Sequence, residues 1–352
     1  MTKPTGVLMV GSVPGTSPQE VFTRLVTALP SRLQAVPDGE IGERLNYIGW
    51  QLERFPPVTR RIELGGTPLP GSGSELPTFT LEDIKPTAYD EVALSSYAEF
   101  KRLRQQGIIP SDVRFQIGLP SPFNVLIGHV KPELINAIEP LYEQRLAETI
   151  DHIVANILHD DVVIQWDLCF EMMALEFDRG RLTNSRFQAY FPSAGGVLQG
   201  LVDRVARLCE RIPRDVRIAF HLCYGDLGHK HFIDPQDTSL LVEFANALLA
   251  RETIGPRTEW IHLPVPKERT DSDYFAPLTS LKIDSSGSKA PHVYLGLVHA
   301  NDEAGTKKRI ETAQATVPFP FGVATECGLG RTPPEEIDGI LQICRDVSAE
   351  CL

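Results

Sequence analysis

The chain has 352 residues, 42% hydrophobic and 23% charged, the composition of an ordinary folded protein with apolar mass enough for one large domain. A formal net charge of −12 and a pI near 5.3 deny it the basic surface that phosphate contacts demand, which argues against nucleic acid as a partner and for a small molecule. No apolar run approaches the roughly 20 residues that span a bilayer, and the apolar GVLMV near the start is broken by Gly11 and Pro14 too soon for a signal peptide, so a cytoplasmic protein without a membrane partner is expected.

Along the chain, short apolar runs alternate with segments of helical period. The strand-like runs are GVLMVGS (6–12), RLQAVPDGE (32–40), VRFQIGLPSPF (113–123), DVVIQWDL (161–168), VRIAFHLCYGD (216–226), EWIHLPVP (259–266), HVYLGLVH (292–299) and PFGVATECGLG (320–330). Helical candidates fall between them at 17–30, opened by Ser17-Pro18, and at 133–158, 193–212, 238–250 and 334–352. Eight strands alternating with helices predict an α/β protein, a single (β/α)8 TIM barrel spanning 1–352. A Rossmann fold is disfavoured because no glycine fingerprint follows the first strand. Residues 50–100 are rich in Pro and Gly and lack periodicity, so they read as a long insertion after strand 2, an excursion or lid.

In such a barrel the active site forms at the C-terminal ends of the strands. Chemically loaded residues recur at those ends: Ser12 on the first strand, Asp38 and Glu40 on the second, and Asp167 on the fourth. They continue with His221 and Cys223 on the fifth, His262 on the sixth, and His299 and Cys327 on the last two. The recurrence predicts one convergent pocket. Asp38 and Glu40, as paired carboxylates, suit orienting an ammonium or moving a proton.

The six cysteines lie scattered in a long acidic chain with no secretory signal, which points to free thiols rather than a disulfide framework. His221 and Cys223 are two residues apart on one strand, so both face the same side, where their donor atoms can reach one ion. Zinc suits an imidazole with thiolates and lowers the pKa of a bound thiol. Cys327, before the glycines of ECGLGR, is a third candidate. After the His-x-Cys pair, Asp226, His229 and His231 read as outer partners of the metal or, for the two histidines, as a solvated helix start. Arg331 is placed to bind a carboxylate or phosphate, or to pair with Glu335.

Taken in order, VGSVPG, PDGEIGER, IQWD, HLCYGD and ECGLGR, spread over nearly the whole chain, resemble the C-terminal catalytic half of cobalamin-independent methionine synthase, in a superfamily that includes uroporphyrinogen decarboxylase. The resemblance implies a zinc barrel in which the metal activates a substrate thiol toward alkyl transfer. It implies His221, Cys223 and Cys327 as zinc ligands, Ser12, Glu40 and Asp167 as holders of an amino-acid substrate, and His299 as the group that protonates the leaving group. The family takes its fourth ligand from a Glu on the strand after the His-x-Cys pair. Here that strand offers Glu259 and His262, which strand alternation sets on opposite faces, and His262, nearer the C-terminal end, is the expected ligand. A second departure follows IQWD, where the family continues Glu-Pro and this chain has Leu168-Cys169. The GLPSPFNVL segment does not reproduce the family's folate loop, so the resemblance leaves the methyl donor open between a folate and a corrinoid.

The expected function is therefore zinc-dependent methyl or other alkyl transfer to a small thiol. Two alternatives stay open: a lyase, decarboxylase or cyclase driven by the carboxylates, and a non-catalytic zinc-stabilised binding protein.

Overall fold

The computed structural model describes residues 2–69, 75–192, 194–225, 230–283 and 290–351. Asp226 and His229, named above, lie outside them. Eight strands form one parallel sheet: β1 (Val7–Leu8), β2 (Ala35–Pro37), β3 (Arg114–Pro120), β4 (Val162–Leu168), β5 (Arg217–Leu222), β6 (Thr258–Pro264), β7 (His292–Val298) and β8 (Gly322–Thr325). β1 pairs with β8, and the others pair in sequence from β2 to β8. The seam between β1 and β2 is closed by the Ser12–Gly39 bridge and by Val13 N donating to Gly39 O at 2.8 Å. The result is the expected (β/α)8 barrel.

Helices follow each strand. They are α1 (Pro18–Ala28), α2 (Tyr89–Gln105), α3 (Pro122–His129), α4 (Ile135–Asn156), α5 (Phe170–Asp178), α6 (Gly196–Arg211), α7 (Ser239–Leu249), the single turn α8 (Ser272–Phe275), α9 (Glu303–Thr316) and α10 (Ile337–Val347). α1 starts as read from the sequence, with Ser17 accepting from Glu20 N and Pro18 in the first turn. Its apolar face meets β2 and β3, where Phe22, Phe100 and Phe115 pack edge-on or tilted within 6.0 Å.

The insertion after β2 ends earlier than the expected 50–100, because residues from Tyr89 onward are helical. Its irregular part, with 3-10 turns at Gly42–Arg54, Ile62–Leu64 and Leu81–Asp83, gives way to α2 at Tyr89. Its described residues are also anchored rather than loose. Phe55 and Ile84 enter a small core with Val125, Leu126, Ile138 and Tyr142 of α3 and α4. Tyr142 donates to Gln51 Oε1 at 2.9 Å, and Arg145 donates to the carbonyls of Ile84 and Leu81.

Inside the barrel, bulky Trp260 and Tyr294 fit against Ala35, Ala219 and Ala324. Gln165 ties the layers together: Trp260 Nε1 donates to its Oε1 at 3.0 Å, and its Nε2 donates to Val10 O at 2.7 Å. The β5–β6 register shifts between Ile218 and Ala219, opposite Thr258 and Trp260, leaving Glu259 as the extra residue of a bulge. Glu259 binds Arg114 at 2.9 Å and Arg217 at 2.5 Å, residues at the starts of β3 and β5. The bulge breaks the simple alternation expected for Glu259 and His262, and the ion pairs hold Glu259 at the end of the barrel opposite the site.

Candidate active site

A cavity of about 630 Å³ opens at the C-terminal ends of the strands. Ser12, Glu40, Asp167, His221, Cys223, Cys327 and Arg331 all line it, so most of the sequence candidates converge. They divide into a soft donor group and a carboxylate wall.

The soft donors come from β5 and from the turn after β8. His221 Nε2 lies 3.7 Å from Cys327 Sγ, Cys223 Sγ lies 3.8 Å from Cys327 Sγ, and the donor atoms of all three fall within 4.8 Å of one another. Zn–S bonds of about 2.3 Å and Zn–N bonds of about 2.0 Å at tetrahedral angles require donor separations of roughly 3.5–3.8 Å, so the two close contacts match the edges of a zinc tetrahedron. Burial, followed by the neighbouring His262, holds His221 well below the ordinary histidine value, so its ring is neutral and keeps a lone pair for a metal.

His262 stands outside this group. Its Nδ1 is 2.7 Å from His221 Nδ1, and burial lowers its own pKa to about 3. When His221 presents Nε2 to the thiols, its Nδ1–H donates to His262 Nδ1, which fixes the tautomer and the ring orientation. His262 thus departs from the fourth-ligand place expected of it, because its ring backs His221 instead of facing the thiols. Cys223 Sγ accepts from Gly225 N at 3.2 Å, and its thiol is pushed well above the usual value, first by the neighbouring thiol of Cys169. All six cysteines are free thiols, as the composition predicted.

The carboxylate wall is Glu40 and Asp167. Glu40 sits at φ +49°, an uncommon backbone state for a residue with a side chain, and points its carboxyl between two glycines. A Cβ on Gly118 would come within 3.0 Å of Glu40 Oε1, and one on Gly11 within 3.2 Å, so these glycines make the room. Burial, then the charges of Asp167 and Asp38, push the Glu40 carboxyl up to about 8. Asp167 Oδ1 accepts from Gln165 Nε2 at 2.8 Å.

Asp38 does not reach the cavity. Its carboxylate accepts from Arg44 at 2.8 and 3.2 Å, from Ser96 Oγ at 2.6 Å and from Glu40 N at 2.9 Å, so its lone pairs are spent on holding β2, the following turn and α2 together. It departs in this from its expected place as a substrate contact. Ser12 lines the cavity with its hydroxyl accepting from Gly330 N at 3.1 Å; a Cβ on Gly328 would lie 2.4 Å from that oxygen, which explains the glycine beside Cys327.

His299 faces a second cavity of about 490 Å³, separated from the first by the Cys327–Gly328 turn that lines both. Its Nε2 is 2.9 Å from Val265 O and its Nδ1 is 4.0 Å from Glu326 Oε2, while burial lowers its pKa to about 4. His231 is not solvated: its side chain is 6% exposed and its Nε2 lies 2.7 Å from Glu326 Oε1.

Sequence reasoning missed the far wall of the first cavity. Phe170, Phe187 and Phe232 pack with ring centroids 5.4–5.9 Å apart, and Arg186, His129 and Asn124 complete that side. Asn124 binds the turn after β4, donating to Asp167 O and accepting from Phe170 N. A polar residue two places after Pro122, in the first turn of a helix, was the available signal, and the aromatics offered none.

No family model matches the sequence, and no curated protein matches it. Among solved structures, the chain is similar to a B12-independent methionine synthase from Shewanella sp. W3-18-1 in complex with selenomethionine, with TM-score 0.54 and 14% identity over 98% of this chain and 96% of that one. A methionine synthase-like protein from Listeria monocytogenes aligns with TM-score 0.44 and 14% identity over 99% of this chain and 100% of that one. At this identity the first likeness shows the fold: the barrel is of the methionine synthase type across nearly its whole length.

Proposed function

We propose that this barrel is a zinc-dependent alkyl transferase, methyl being the group expected, that acts on a small thiol of amino-acid type. The observation that carries the reading is the spacing of His221, Cys223 and Cys327, which fits zinc, at the edge of a cavity whose other wall is a carboxylate pair. The fold neighbour bound to selenomethionine supports the same substrate class.

His221, Cys223 and Cys327 would hold the ion. Zinc, when bound, lowers the pKa of a coordinated thiol and so supplies a nucleophile near neutral pH. His262 keeps His221 in the ligating tautomer. Glu40 and Asp167 form one wall, and the raised pKa of Glu40, set by burial and then by the charges of Asp167 and Asp38, keeps it protonated near neutral pH. Together they suit a substrate ammonium, whose positive charge would draw the Glu40 proton off. Arg331 and Ser12, on the same cavity, are assigned to the substrate carboxylate. The Phe170–Phe187–Phe232 wall excludes water and leaves apolar room for the alkyl donor, a folate or a corrinoid in this reading. His299, the proton donor the resemblance implies, faces the second cavity across the Cys327–Gly328 turn, and this reading assigns it no step.

The test is metal content with alkyl transfer. Protein purified without a histidine tag should carry about one zinc per chain, lost together with transfer in Cys223→Ala; full transfer by metal-free protein would overturn the reading.

The Glu40 carboxyl, raised to about 8, favours one second reading: a lyase in which Glu40 is the general acid. That reading requires Glu40→Gln to be far more damaging than Cys223→Ala, and the opposite ranking removes it.

A further inference from the structure

We propose that Cys169 is a further thiolate of the metal site, so that the chain offers one imidazole and three thiolates. The proposal rests on the zinc reading above and goes beyond it, since neither the family resemblance nor the three-residue group includes this cysteine.

Strand register brings Cys169 to the place. Leu168 pairs with Leu222 across β4 and β5, and Cys223 N donates to Leu168 O at 3.0 Å, so Cys169 and Cys223 are the next pair up on strands about 4.8 Å apart. Both line the same cavity. Cys169 is also the residue that caps the nine-residue helix α5, and its side chain makes no capping hydrogen bond. The thiols of Cys169 and Cys223 interact directly, the Cys169 thiol being the largest influence on Cys223.

Cys169 lies outside the set of donors within 4.8 Å of one another, on the Cys223 side. A turn about its single χ1 bond is the freedom by which it would join them. The chemistry of the cavity supports the move. Glu259 is held at the opposite end of the barrel and His262 backs His221, so Cys169 is the remaining thiol among the described residues that line the cavity. Three thiolates and a neutral imidazole form a set that selects zinc and gives the bound ion a net charge of −1, against zero for two thiolates. This places the added negative charge where the sequence departs from the family, at Leu168-Cys169.

Cobalt(II) substitution of the metal-free full chain, without added thiol, tests this by the thiolate-to-cobalt charge-transfer band, whose intensity grows with the number of coordinated thiolates. Cys327→Ser calibrates the loss of one. Cys169→Ser and Cys169→Ala should still bind one cobalt and lose about a third of the band, as Cys327→Ser does. Adding 2-mercaptoethanol to Cys169→Ala should restore the lost intensity. A full band in both Cys169 variants, with a reduced one in Cys327→Ser, overturns the role of Cys169 and leaves the zinc reading standing. No band in the intact chain overturns both.

Discussion

Glu40 combines an uncommon backbone state, an enclosed carboxyl and two acidic neighbours, and its proton ties stability to pH. Between the ordinary value of 4.5 and about 8 the folded chain holds a proton that the unfolded chain has released. Stability attributable to this group therefore falls as pH rises through that window and levels off above it, by about 1.4 kcal/mol for each unit of pKa difference. Glu40→Gln should flatten the slope of the urea midpoint across the window and gain on the parent most at its alkaline end; parallel curves would show that Glu40 is ionised throughout. His262 makes a different prediction because it acts through His221. His262→Ala should leave one zinc per chain but weaken its binding about 10–100-fold in a chelator competition, as loss of an orienting partner does. Complete loss of zinc would make His262 a ligand after all.

At the scale of elements, Asp38 joins β2 to the turn carrying Arg44 and to Ser96 on α2. Asp38→Ala leaves the Arg44 charge half-buried without its partner, which should cost about 3 kcal/mol in denaturant unfolding while cobalt absorption stays unchanged. The same elements show what could be read in advance. Strand ends and the His221–Cys223 pair were legible because a two-residue period survives in sequence wherever a strand is regular. Glu259 was misplaced because a bulge changes that parity without a Gly or Pro to announce it. α3 and most of α5 are buried on every side, so they carry no apolar stripe to detect. α2 does carry one, at Tyr89, Ala93, Tyr97, Phe100 and Leu103, yet its opening adjoins the Pro-rich insertion and was read as part of it. Cys169 was visible only as a departure from a motif; its nearness to Cys223 is a matter of register between strands.

Across the whole molecule, the site is assembled from distant parts of the chain. Glu40 follows β2, Asp167 is on β4, His221 is on β5 with Cys223 just after it, and Cys327 follows β8, with 104 positions separating Cys223 from Cys327. An unfolded chain must close that long loop before a metal can meet all its donors, so zinc would bind the native barrel far better than the unfolded chain. It would also link the end of β5 to the turn after β8, next to the β8–β1–β2 seam where Ser12 meets Gly39 and Gly330. Zinc at a hundredfold excess over its Kd should therefore stabilise the fold by about 2.7 kcal/mol and raise the Tm by a few degrees. The shift should vanish in Cys223→Ala and persist in His299→Ala, since His299 lies across the Cys327 turn from the donors. An equal shift in Cys223→Ala would place the stabilising ion elsewhere and separate the stability of the barrel from its proposed chemistry.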